Sequence, residues 1–200
     1  MFIQTEDTPN PASMKFIADR AVLGLDKNGR PAVGVDFPNA ATAGASPLAA
    51  MLFEIDGVSG VFLGPDFVTV TKADGVDWAH IKAAILGAIA DFLTAGLPVM
   101  DAAATAPARK PATSLDDYEG DDREIVEQII DLIDTRVRPA VAADGGDIAF
   151  QHWEPRTGVV FVSLHGSCSG CPSSTMTLKA GIENMLKHYL PEIAKVEAVA

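Results

Sequence analysis

Both cysteines of the 200-residue chain fall in one stretch, GSCSGCPSS at 166–174, as Cys168 and Cys171. Two thiols with two residues between them can clasp a soft metal, hold part of an iron–sulfur cluster, or cycle between dithiol and disulfide. Ligand counting separates these chemistries. A tetrahedral zinc or an iron–sulfur cluster takes four protein ligands, and this chain offers two. The simplest completion is a second copy related by a twofold axis, two thiolates from each around one shared group. A group held in that way sits at the rim of each subunit and is kept by a modest interface. Such a site suits delivery better than a fixed electron-transfer role. Zinc would use the same geometry and stays open as the less favoured occupant.

The neighbours of the pair fit this chemistry. Pro172 is suited to the first turn of a helix, so the thiols lie on a turn leaving a strand and opening a helix. A helix start presents unpaired N–H groups and positive potential, which favours thiolate and steadies an anionic cluster. Ser167, Ser169, Gly170, Ser173 and Ser174 are small and leave room for a bulky group and a second backbone. No acid or imidazole nearby in sequence is placed as a catalytic base, so we expect a carrier and not an enzyme. A thiol–disulfide oxidoreductase is the alternative from another class, but thioredoxin-like sites need a βαβ unit, and here a hairpin precedes the motif. His165, three residues before Cys168, reads as a hydrogen-bonded strand histidine, with ligation the lesser reading. His152 and Trp153 are adjacent on a strand and face opposite sides, one of them toward core or a subunit contact. Asp144–Asp147 reads as a turn between helix and strand, not as a cation loop. His80 and His188 read as structural, and Met51, Met176 and Met185 as packing residues.

Two patterned regions must position these groups. Residues 1–98 read as a small α+β domain. It has strands near 15–17 and 32–37, a helix opened by Ser46-Pro47, and a hairpin turning at Gly64-Pro65-Asp66. A second helix is capped by Asp77, with Trp78, Ile81, Ile85, Ala88, Ile89 and Phe92 on its buried face. Residues 99–121, rich in Ala, Pro, Thr and Asp, read as a flexible tether. Residues 122–200 read as helix, strand, strand, cysteine loop, helix and short strand. The first helix there is expected to use Asp121 and Glu124 as a capping pair and to kink or end at Pro139. Leu178, Ile182, Met185, Leu186 and Tyr189 form the apolar stripe of the last helix. The fold class is therefore α+β, two small domains on a linker.

Composition narrows the partners. A formal charge of −12 argues against nucleic acid, whose binding rests on basic groups displacing counterions. No stretch has the uninterrupted apolar length of a membrane span, and IKAAILGAIADFL carries Lys82 and Asp91 with helical patterning. The opening MFIQTEDTPNP has no leader-like pattern. Paired thiols without a secretion signal point to a reducing compartment, either the cytosol or a mitochondrial matrix reached with a leader absent here.

DGGDI at 144–148 and GSCSGCPSSTMTLKAGIE at 166–183 resemble the NifU C-terminal domain of Nfu-type iron–sulfur proteins. TPNPASMKF at 8–16 resembles the opening of the Nfu N-terminal domain. Together the resemblances cover nearly the whole chain in the family's order. They imply a carrier that binds a [4Fe–4S] cluster between two subunits, as a homodimer when loaded. Such a carrier takes its cluster from an upstream donor and passes it to apo-enzymes. They also imply Cys168 and Cys171 as the cluster ligands. A scaffold that assembles clusters is the alternative within that class. His165 stands where an amide side chain is more usual.

Overall fold

The computed structural model describes residues 2–26, 29, 31–101, 113–168 and 172–199, with 172–175 as backbone only. The first domain is an antiparallel sheet of β1 (Ile3–Asp7), β2 (Ser13–Ala18), β3 (Val35–Phe37), β4 (Val58–Leu63) and β5 (Phe67–Lys72), in the order β1-β2-β5-β4-β3. Two helices cover one face, α1 (Pro47–Phe53) and α2 (Trp78–Ala95). The Ser46 hydroxyl accepts from Ala49 N at 3.1 Å and the Asp77 carboxylate from Ala79 N at 2.9 Å, so both helices start where their caps place them. Gly96, in the left-handed region at φ 66°, ends α2. Phe16, Phe37, Leu48, Leu52, Ile85 and Ile89 fill the core. By length and composition α2 could cross a membrane; its face of Ile81, Ile85, Ile89 and Phe92 is instead seated on this core.

The second domain opens with α3 (Asp121–Leu132). Asp121 is already inside the helix and Gly120 stands at the cap, so the expected capping pair does not form. Asp121, Asp122 and Glu124 instead meet the positive helix end as first-turn charges. A reciprocal cap occurs earlier, between Ser114 and Asp117 on a 3-10 turn. Pro139 does not end the helix. Lacking an N–H and crowding the carbonyl four residues back, it is met by a wider π-helical turn at Ile133–Val137, and the chain runs on as α4 (Arg138–Ala143).

Strands β6 (Gly146–Glu154) and β7 (Val159–Gly166) form the expected hairpin, α5 (Pro172–Tyr189) follows, and β8 (Lys195–Val199) returns parallel to β7. Ile182 and Leu186 bury the α5 stripe, and Leu190 completes it. Tyr189 is 47% exposed, its ring 5.7 Å from the Arg136 guanidinium, and Met176 is 72% exposed, so neither packs in the core. Trp153 is the buried member of the strand pair, while His152 stacks on Phe161 at 4.1 Å between centroids.

Within the stretch read as a tether, residues 102–112 lie outside the described residues. Its flanks are held. Asp101 N donates to Ala45 O at 2.9 Å and Thr113 N to Gln151 O at 2.7 Å. The Tyr118 hydroxyl donates to Trp153 O at 3.0 Å and accepts from Trp153 N at 2.9 Å.

Candidate functional site

Cys168 follows the end of β7 by two residues, and α5 begins at Pro172. Cys171, with Ser169 and Gly170, lies outside the described residues. The β6–β7 ladder pairs Gly146 with Gly166 and Asp147 with His165, which sets the Asp144–Asp147 turn beside the cysteine loop. Space there is tight. A Cβ on Gly146 would lie 2.9 Å from Cys168 Sγ, and one on Gly166 2.7 Å from Gly145 O. Gly166 also has φ 67°, a conformation that side chains disfavour. Ser167 ties loop to turn: its hydroxyl donates to Asp144 O and its N–H to Gly145 O at 3.3 Å.

Beneath the turn, Arg138 acts as a clamp. Its Nη1 is 3.0 Å from Asp134 Oδ1, and its Nη2 donates to Ile148 O at 3.1 Å. Its Nε lies 3.0 Å from Asp147 Oδ1, an ion pair out of line for a hydrogen bond. Asp147 is 4% exposed, and its Oδ1 accepts from Ile148 N at 2.8 Å. Helix, turn and strand are thereby fastened two residues from the β6 glycine that touches Cys168.

Cys168 is 5% exposed and lines one wall of a cleft of about 650 Å³, with Val137, Leu178 and Met185 as apolar neighbours and Arg136 at its rim. Burial pushes its thiol above the ordinary range, a nearby Ser167 hydroxyl at 3.8 Å opposes this, and Asp144 and Asp147 add to the rise. Desolvation is the largest of these effects at Cys168. A raised thiol pKa is the reverse of what a disulfide-exchange nucleophile needs. A soft metal can still displace the proton, since metal binding and thiol ionisation are coupled. His165 is engaged away from the sulfur, with Nδ1 3.6 Å from Asp36 Oδ2 and Nε2 3.0 Å from Ser163 Oγ. Among the described residues no trio of His, Cys, Asp or Glu is grouped to hold an ion.

The first domain also reaches this loop, which sequence reasoning missed. Asn10 Nδ2 donates to Ser167 O at 3.3 Å, Thr69 Oγ1 to Gly145 O at 2.7 Å, and Lys15 Nζ to Ala142 O and Ala143 O at 2.9 and 3.1 Å. The signals were a lone lysine in an apolar strand and an asparagine set between two prolines.

Fold and loop define a class: a two-domain α+β chain whose second domain presents a Cys-x-x-Cys loop between a strand and a helix. Two domain families match it in turn, "Scaffold protein Nfu/NifU N terminal" over residues 3–96 and "NifU-like domain" over residues 129–197. The chain belongs to the Nfu/NifU family. It is 48% identical over 199 residues to the NFU1 iron-sulfur cluster scaffold homolog, mitochondrial, of Drosophila sechellia, covering 100% of this chain and 65% of that one. With NifU-like protein 4, mitochondrial, of Arabidopsis thaliana it shares 46% over 197 residues, 98% of this chain and 65% of that one. The chain therefore spans just under two thirds of the length of these relatives. The solution structure of a NifU-like protein from Saccharomyces cerevisiae is 27% identical at a TM-score of 0.42, over 51% of this chain and 86% of its own, too loose a likeness to argue from.

Proposed function

We propose that the protein is an iron–sulfur cluster carrier. In this reading Cys168 and Cys171 of two copies hold one [4Fe–4S] cluster between them and surrender it to apo-proteins that need it. The observation that carries the reading is Cys168 in the wall of the cleft, backed by a glycine turn that leaves no room for side chains. The name of the Drosophila relative, an iron-sulfur cluster scaffold homolog, supports the cargo, and both relatives' names, mitochondrial, favour the matrix over the cytosol as the compartment. The cluster is cargo, and the protein's own residues do three things: thiolates bind it, small neighbours admit it, and a predominantly apolar cleft shields it. A β-hairpin, not a βαβ unit, precedes the cysteine loop, which argues against the oxidoreductase alternative.

The test is anaerobic reconstitution followed by iron and sulfide quantitation and mass in solution. The reading requires four irons per two chains. Cys168→Ala and Cys171→Ala should each abolish retention while circular dichroism stays unchanged; a cluster kept by both single variants, or by a monomer, overturns it. Carrier is separated from scaffold by transfer. The loaded protein should activate an apo [4Fe–4S] enzyme faster than free iron and sulfide do.

A further inference from the structure

A sheet covered by helices on one side ordinarily shows water its other side, where polar residues alternate with the buried ones. The N-terminal sheet departs from this. Val61, Leu63, Val68 and Val70 face the helices, yet Lys15, Phe62, Phe67 and Thr69, which alternate with the helix-facing residues, are buried as well. Phe62 is 2% exposed. The second domain covers them, and the polar contacts across the seam fall on the cysteine loop, its supporting turn and the end of β7, where His165 meets Asp36. Lys15 closes the carbonyl end of α4, the favourable end for a cation, and rests 4.7 Å above the Phe67 ring. Thr69 donates to Gly145 O, which also receives Ser167 N. Asn10 donates to Ser167 O, next to Cys168. The ring of Phe62 lies 3.0 Å from where a Cβ on Gly166 would sit. Aromatic residues on a face that alternation would leave wet, and a buried ammonium whose two hydrogen-bond acceptors belong to the other domain, mark a built interface.

We infer that this sheet face is a docking surface for the chain's own cysteine loop. In the unloaded protein it holds residues 142–147 and 166–167, up to the residue before Cys168, with Pro9 beside the cleft that Cys168 lines, and it lifts away before a second copy can reach the loop. The inference rests on the shared-cluster reading for its second half only. A loop held at Ser167 O and Gly145 O is not free to move toward a partner, so docking sets the rate at which the protein loads.

The experiment is alkylation of the reduced, iron-free full-length protein by iodoacetamide, with modification at Cys168 read by peptide mass spectrometry. Thr69→Ala and Asn10→Ala each remove one seam hydrogen bond and should speed alkylation roughly fivefold, the ratio that one net hydrogen bond confers. Together they should give about 25-fold if the sites act independently. Circular dichroism and the midpoint of thermal unfolding show that both variants remain folded. The rate of cluster uptake on reconstitution should rise in step. Alkylation rates equal to wild type in both variants overturn the docking surface. Faster alkylation with unchanged uptake overturns its control of loading. Faster alkylation in a protein that takes up no cluster refutes the carrier function and leaves the docking surface standing, because that readout contains no iron.

Discussion

Replacing Arg138 by Met tests whether the clamp beneath the glycine turn is a structural requirement. The substitution keeps an unbranched stem of similar length and deletes contacts to Asp134, Asp147 and Ile148 O. Breaking a buried ion pair from one side costs about 3–5 kcal/mol. Two features reduce that here. Asp147 keeps the Ile148 N–H, and the Arg138 side chain is 29% exposed, so water reaches part of the site. The exposed link to Asp134 adds less than about 1 kcal/mol. The expected loss is therefore about 3 kcal/mol. Asp147→Asn should cost less, roughly 1–2 kcal/mol, because the guanidinium left behind can turn to water and to Asp134. With both charges removed, the double variant should be more stable than the sum of the singles predicts, by at least about 1.5 kcal/mol. The assay is urea unfolding of the full chain followed by Trp153 fluorescence in a Trp78→Phe background, so that the second domain alone is read. An Arg138→Met loss under about 1 kcal/mol, or strict additivity of the two substitutions, refutes the reasoning.

Two further outcomes follow from local geometry. Gly166→Ala should cost at least about 1–2 kcal/mol, since φ 67° puts a side chain in the left-handed region and the new Cβ meets Gly145 O. Gly181→Ala, on α5 with nothing within 4 Å of the added Cβ, should stabilise by about 0.5–1 kcal/mol; equal effects in the same urea assay would show that the turn at Gly166 is not constrained. Lys179 and Lys195 hold the Glu197 carboxyl at about 2, below its ordinary 4.5. A depressed folded-state value means stabilisation present above pH 4.5 and lost as pH falls toward 2, so the second domain should weaken through that window. Lys179→Met should raise the Glu197 midpoint in a carbon-13 NMR titration, and an unmoved midpoint would refute the pairing.

Helix starts were legible in the sequence where a side chain makes the cap, at Ser46 and Asp77, because capping is local chemistry. The hairpin turn at 64–66 was legible for the same reason. The expected cap at Asp121 failed because a glycine took the cap position and the acids stabilise the helix end through its dipole. Strand β1 went unseen: its run IQTED has a single apolar residue and no alternation of its own, and it is held by pairing with β2. Pro139 announced a disturbance but not its form, since a π-helical turn depends on what packs around it. At the site, spacing and ligand count singled out the thiol pair, of which the structure places Cys168 in the wall of the cleft. Arg138, Lys15 and Thr69 were not singled out, because their partners are main-chain oxygens or a carboxylate set by tertiary packing, which leave no periodic trace.

The three-stranded sheet runs β6-β7-β8 and so has two open edges, each a template on which another chain could add a strand. Each is guarded differently. Along β6, Thr113 and Tyr118 take up Gln151 O and both main-chain groups of Trp153, so a segment outside the sheet blocks its ladder. Along β8, Lys195 and Glu197 pair with each other, and Lys179 joins them, so the edge strand carries charged side chains of the kind that discourage strand addition. Copies crowded together are thus steered away from edge-to-edge strand pairing and the fibrous stacking it would seed.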